Sequence, residues 1–208
     1  MIKALISDFG GVLMRTRNDD SRRALEQRLR LSPNSIEARV FSSELSLSAQ
    51  RGDISEEVFW HVLERDLDLS RFDMTWQQFQ HEFFAEDFLD EKLIALIRSV
   101  RPALKTGLIS NAWSGLRDVL HTRVPIADAF DVIVVSAEEK TMKPDPRIYH
   151  AALERLDVQA AEAIFLDDFI ENIHAANALG LIGIHFQSSA QAQLDILALL
   201  DGATPSGR

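Results

Sequence analysis

Ile2-Lys3-Ala4-Leu5-Ile6-Ser7-Asp8-Phe9-Gly10-Gly11-Val12 decides the fold. Its apolar run delivers a carboxylate, Asp8, onto a phenylalanine and two glycines. A buried strand fixes such a carboxylate rigidly, and the glycines let the backbone turn sharply and approach a ligand. A carboxylate held this way can attack an electrophile or hold a metal. The pattern alone recurs by chance in α/β proteins. Its weight comes from three later segments that fall where such a site needs them.

Apolar β-rich runs follow at residues 106–110, 132–136, 163–166 and 181–185, alternating with helical segments. Continuous apolar runs separated by helices predict an α/β fold, a doubly wound parallel sheet covered on both faces. Its site is expected at the carboxyl ends of the strands. The alternation breaks once, because nearly everything between Asp8 and the second strand reads as helix rather than strand. Asp20 or Ser21 can cap a helix whose Leu25 and Leu29 share a face, and Ser55 with Glu56 and Glu57 starts another. Thr75 to Gln78 fits a capping box, and Asp90 caps a helix carrying Leu93, Ile94, Ile97 and Val100. Residues 15–85 are therefore expected to form an inserted helical bundle above the site. Phe41, Phe59, Trp60, Trp76 and Phe79 would be its core, and residues 1–14 with 86–208 the α/β core. The tail, 203–208, is expected to fray.

Composition narrows the partners. Among 208 residues, 46% are hydrophobic and 26% charged, which fits a globular domain with a sizeable core. The 32 acidic against 22 basic residues give a net charge of −10, a surface that repels polyanions, so nucleic acid is not expected. No apolar run reaches membrane-span length, so no membrane partner is expected either. No basic, apolar and small-residue leader precedes the first strand, and a cytoplasmic location is expected. Cysteine is absent, which excludes disulfides, thiolate metal sites and a cysteine nucleophile.

Four segments end at or just after expected strands: Asp8-Phe9-Gly10-Gly11-Val12, Ile109-Ser110-Asn111, Lys143-Pro144-Asp145-Pro146, and Phe165-Leu166-Asp167-Asp168 followed by Glu171-Asn172. Together they offer carboxylate clusters, a hydroxyl beside an amide, and one lysine. Adjacent carboxylates such as Asp167 and Asp168 repel unless solvated or sharing a cation. The inventory fits Mg²⁺-assisted phosphoryl transfer, because Mg²⁺ takes hard oxygen ligands and the lysine screens an anionic substrate. The six histidines show no metal-ligand spacing.

On these four motifs, matched in order, the chain resembles the haloacid dehalogenase superfamily, in particular its phosphatases with a helical cap inserted after the first strand. The resemblance implies that Asp8 is a nucleophile forming an aspartyl-phosphate. It implies that Ser110 and the Asn111 amide bind the phosphoryl group and that Lys143 neutralises it. Gly10 and Gly11 would line the phosphate site. Asp8, the Gly10 carbonyl and Asp168 would hold Mg²⁺, with Asp167 ligating through water or orienting the others. The partner would be a small phosphorylated metabolite, a sugar phosphate.

One position departs from the family. Where these phosphatases usually carry a second aspartate, two residues after the nucleophile, this chain has Gly10. The carbonyl survives, but the side chain that protonates the leaving group does not. General acid–base catalysis contributes about 10²–10⁴-fold, so activated leaving groups are expected to be favoured. A 2-haloacid dehalogenase and a catalytically weakened phospho-ligand-binding protein are the alternatives. The first would lack the paired aspartates that this chain keeps. Two further expectations concern the bundle. Arg51, in the Arg51-Gly52-Asp53 turn, is a candidate substrate contact, and Trp113 is either a pocket wall or packing.

Overall fold

The structure, a computed structural model, describes residues 1–202; the tail from 203 to 208, expected to fray, lies outside the described residues. Strand β1 (Ala4–Ser7) is the centre of a five-stranded parallel sheet. Its chain-distant neighbours are β4 (Lys105–Ser110) and β6 (Ala163–Asp167), flanked by β5 (Val132–Val135) and β7 (Ile182–His185), in the order β5-β4-β1-β6-β7. Every pairing is parallel. The runs read from the sequence are these strands to within one or two residues.

Alternate residues of each strand enter two separate apolar layers, as a two-residue period requires. Leu5, Leu108, Val135, Ile164 and Leu166 face one layer, closed by α5 (Glu91–Val100), α6 (Leu116–Thr122) and α10 (Ser189–Leu200). Ala4, Ile6, Ile109, Val134 and Phe165 face the other, closed by α8 (Pro146–Leu156) and α9 (Ile170–Ala178). A short α7 (Ser136–Glu139) follows β5 directly. Helices on both faces make the sheet doubly wound, as its sequence pattern predicts.

The inserted segment builds a third apolar cluster of its own from α1 (Asp20–Leu29), α2 (Glu44–Gln50), α3 (Glu56–Asp66) and α4 (Trp76–Phe83). Phe59, Trp60, Phe79 and Phe83 are fully buried there. Truncating a side chain such as Phe79 to alanine in such a cluster costs about 3–5 kcal/mol. Three of the caps read from sequence are in place. Ser55 accepts from the Val58 amide at 3.2 Å, Thr75 and Gln78 form the reciprocal capping box, and Asp90 accepts from the Leu93 amide at 3.1 Å. At the first helix Asp19, not Asp20 or Ser21, takes the N-cap position and makes no side-chain cap bond, while Asn18 accepts from the Asp20 amide.

Two strands in this region carry no strand signal in the sequence. β2 (Met14–Thr16) and β3 (Asp87–Leu89) pair antiparallel where the chain leaves and re-enters the sheet domain. Three residues are too few to display an alternation, and the pairing partners lie far apart in sequence. Arg15 pins the ribbon by pairing with the buried Asp90 at 2.6 Å.

Candidate active site

Parallel register brings the motif residues to one edge of the sheet. Ser7 is paired with Leu108 on one side and Leu166 on the other. Asp8 therefore emerges between the ends of β4, where Ser110 lies, and β6, where Asp167 lies. The Asp8 amide continues the ladder to the Leu166 carbonyl at 2.8 Å. The next residues fold back tightly, with Leu13 and Met14 amides both donating to the Phe9 carbonyl. Gly11 has φ +78, and a Cβ there would collide with the Asp168 carboxylate, so only glycine lets these two segments meet. Gly10 is different: its Cβ position has nothing within 4 Å.

Lys143 is the centre of the charge arrangement. Its ammonium lies 2.8 Å from Asp8 Oδ1 and 2.6 Å from Asp167 Oδ2, and its side chain is 1% exposed. Asp8 Oδ1 also accepts from the Phe9 amide at 2.7 Å. Asp167, fully buried, accepts from the Phe169 amide at 2.8 Å and from Asn172 Nδ2 at 3.0 and 3.1 Å. Both of its oxygens are thus engaged. Asp168 Oδ1, in contrast, is buried with no hydrogen-bond partner. Oxygens of Asp8, Asp167 and Asp168 lie within 4.8 Å of one another. Three carboxylates around one ammonium leave an excess of negative charge, and an orphaned carboxylate oxygen among them is what a hard divalent cation would satisfy.

The protonation equilibria follow from that crowding. Burial pushes the Asp8 carboxyl from 3.8 up to about 7, with Lys143 pulling against it and Asp167 and Asp168 adding to it. Burial and the neighbouring Asp167 raise Asp168 as well. Burial alone would lower Lys143, but Asp8 and Asp167 outweigh it and its net direction is upward. A cation among the carboxylates would favour their charged forms.

The remaining motif residues take definite places. Ser110 is buried at the end of β4. The Asn111 side chain is held by the Lys143 backbone: Oδ1 accepts from the Lys143 amide at 2.8 Å and Nδ2 donates to the Lys143 carbonyl at 2.9 Å. Asn172 braces Asp167, and the Tyr149 hydroxyl in turn donates to the Asn172 carbonyl at 3.0 Å. Tyr149 was not singled out from the sequence. Its one signal is a lone polar oxygen on the apolar face of α8.

Of the two residues singled out near the bundle, Arg51 is paired locally and Trp113 takes the packing alternative. Arg51 does not reach toward the carboxylates; it pairs with Glu44 at 2.7 Å and Asp53 at 3.0 Å, both close in sequence. Trp113 leaves the sheet domain and joins the bundle's aromatic cluster, with ring centroids 5.0 Å from Phe59, 5.1 Å from Trp60 and 6.1 Å from Phe41.

Known proteins resemble this chain over parts of its length or over all of it. The sesquiterpene phosphatase astK of Aspergillus oryzae is 41% identical over 73 residues, 35% of this chain and 37% of that protein. The D-ribitol-5-phosphate phosphatase of Bacteroides thetaiotaomicron is 22% identical over 97% of this chain and 100% of that protein. The chain spans 37% of the fungal enzyme's length, and only 7% and 16% of two longer mammalian proteins that it matches. Among solved structures, a haloacid dehalogenase family enzyme from Bacteroides thetaiotaomicron, complexed with magnesium and inorganic phosphate, shares the fold. It has a TM-score of 0.72 and 22% identity, covering 91% of this chain and 96% of that one. Among the described residues no helix is long and apolar enough to cross a membrane. The profile of haloacid dehalogenase-like hydrolases matches residues 2–180, which take in every motif around Asp8, and the chain belongs to that family.

Proposed function

We propose that this hydrolase is a Mg²⁺-dependent phosphatase acting on a small phosphorylated metabolite, a sugar phosphate, through an aspartyl-phosphate on Asp8. The observation that carries the reading is the buried Asp8–Lys143–Asp167 contact with the unpartnered Asp168 oxygen beside it. The Phe9 amide and Lys143 both hold Oδ1 of Asp8, leaving the other oxygen to approach phosphorus. As that oxygen bonds to phosphorus, the bond to the leaving oxygen breaks and its electron pair departs with the alkoxide. The alkoxide takes a proton from solvent. Water then attacks phosphorus, the phosphorus bond to Asp8 breaks with its electron pair returning to the carboxylate, and the water's proton passes to solvent, leaving inorganic phosphate. Ser110 and the Asn111 amide orient the phosphoryl oxygens, and Lys143 offsets their charge.

Asp8, Asp168 and the Gly10 carbonyl would hold Mg²⁺. Asp167, with both oxygens committed to Lys143, Asn172 and Phe169, suits an orienting role better than direct ligation. What a bound Mg²⁺ supplies is charge, offsetting the repulsion between an anionic phosphoryl group and the carboxylates. The paired Asp167 and Asp168 count against metal-free displacement of halide. The sugar-phosphate class rests on the relative matched end to end, the ribitol-phosphate phosphatase. With no acid at Gly10, phosphates on activated oxygens should turn over faster than primary alkyl phosphates.

The test is phosphate release from a panel of sugar, nucleotide and acyl phosphates, with Mg²⁺ or with EDTA, beside an Asp8→Asn control. Release that requires both metal and Asp8 supports the reading. Silence across the panel, p-nitrophenyl phosphate included, would turn it toward a phospho-ligand-binding protein.

A further inference from the structure

Ser136 lies directly beyond the strand residue, Val135, that pairs with Ser110. Its side chain is fully buried, which is costly for a hydroxyl unless its hydrogen bonds are met. They are met by two different parts of the molecule. The hydroxyl donates to the Gln50 carbonyl of the helical bundle at 2.7 Å, and it accepts from the Ala112 amide at 2.9 Å. Ala112 follows Asn111, whose side chain grips the Lys143 backbone at both its amide and its carbonyl. One hydroxyl thus links the end of α2 to the loop after Ser110 and, one residue on, to the backbone of Lys143.

The neighbouring contacts converge on the same place. The Lys140 ammonium reaches the Gly52 carbonyl, two residues along the bundle turn from Gln50. Lys140 holds a left-handed backbone with φ 56, as does Gly52 at φ 70. A Cβ on Gly52 would collide with the Ala137 carbonyl, so the turn lies flush on α7. On the other loop, the Gly115 amide donates to Glu56 of the bundle at 2.8 Å, and Trp113 is packed into the bundle's aromatic cluster. The two loops that carry Ser110, Asn111 and Lys143 are therefore each stitched to the bundle as well as to each other.

We propose that docking of the bundle turn 50–52 on segment 136–140 sets the position of Ser110 and Lys143, with Ser136 as the positioning residue at its centre. A bundle seated on this segment orders both loops; one lifted from it takes away the Gln50 carbonyl that fixes the Ser136 hydroxyl, loosening its hold on Ala112 and, through Asn111, on the Lys143 backbone. A misplacement on the order of 1 Å in such a site can lower turnover about a hundredfold. The catalytic half of this proposal rests on the phosphatase reading; the docking half does not.

The test compares wild type, Ser136→Ala and Lys140→Gly by amide hydrogen exchange on the full chain and by kcat and KM toward p-nitrophenyl phosphate with Mg²⁺. Lys140→Gly removes the exposed ammonium and suits the left-handed backbone, so it separates lost docking from lost folding. In Ser136→Ala, the amides of residues 112–115 and of Lys143 should exchange about tenfold faster, as loss of one buried hydrogen bond implies. Strands β1 and β6 should keep their protection. kcat should fall about tenfold with KM within about twofold, and Lys140→Gly should move both quantities the same way by less. Wild-type exchange at those amides, acceleration spread evenly over the sheet, or faster exchange with kcat intact would each overturn the proposal. If the wild type releases no phosphate from any ester, the phosphatase reading fails, and exchange alone still decides whether docking orders the loops.

Discussion

At the carboxyl ends of the strands, Lys143 is buried against Asp8 and Asp167. At the amino ends, Lys3, Arg101, Lys105 and Arg155 ring a cleft of about 520 Å³. These cations reach Glu162, Asp131, the Leu156 carbonyl and Glu139 respectively. The cleft is roomy and rich in charge, yet its groups are met close to water, where an ion pair contributes about 0–1 kcal/mol. The Lys3 side chain is 58% exposed and that of Lys143 1%. Desolvation therefore separates the two ends more than the count of charges does. At the amino end the fold has neutralised its charges locally, whereas at the carboxyl end it keeps an excess of carboxylate in a dry place.

The largest effect expected from that contrast is at Asp8. Asp8→Asn should lower kcat by about 10⁴-fold or more, since removing a nucleophile leaves only binding and electrostatics; phosphate release measures it. Lys143→Met comes next, leaving Asp8 and Asp167 buried without their cation. It should cost about 3–5 kcal/mol in metal-free protein, and added Mg²⁺ should recover part of that in thermal melts. If the melting temperature of metal-free Lys143→Met matched wild type, the charge argument would lose its basis.

A gain is expected at Gly10. Its open Cβ position accepts a side chain, so Gly10→Asp should raise turnover of primary alkyl phosphates by about 10²-fold while changing activated phosphates little. Equal effects on both substrate classes would contradict the leaving-group argument. The smallest effect belongs to the opposite end of the sheet. Lys3→Ala should shift stability by less than about 1 kcal/mol in a urea titration and leave kcat unchanged.

The same contrast shows what a sequence can disclose. β1 was legible because an unbroken apolar run ends in a carboxylate and glycines, and Ser55, Thr75 and Asp90 were legible because capping is a local interaction. Asp8, Ser110, Lys143 and Asp167 could be listed in order, and parallel pairing converts that order into proximity. Contacts across long sequence distances were not legible. The ribbon joining Met14–Thr16 to Asp87–Leu89 spans three residues on each side, too few for a period. Ser136 looks like the last residue of an apolar strand, and nothing nearby in sequence says that its hydroxyl meets Gln50. Arg51 stands in a turn that leaves its reach open in the sequence, whereas in the fold Glu44 and Asp53 are the nearer partners.

The central claim is that the carboxylates at this end of the sheet are built for a divalent cation, and calorimetric titration of Mg²⁺ into the wild type and Asp168→Asn tests it most directly. In the folded, metal-free chain Asp8 holds its proton up to about 7, whereas it ionises near 3.8 when unfolded. The folded chain therefore binds more protons across that window, and metal-free stability should fall as pH rises through it. Mg²⁺ binding should accordingly be weak at pH 5.5, where it must expel that proton, and stronger at pH 8. The account predicts one Mg²⁺ per chain at pH 8, weakened at least about tenfold in Asp168→Asn. No binding at pH 8, or binding that Asp168→Asn leaves untouched, would contradict it.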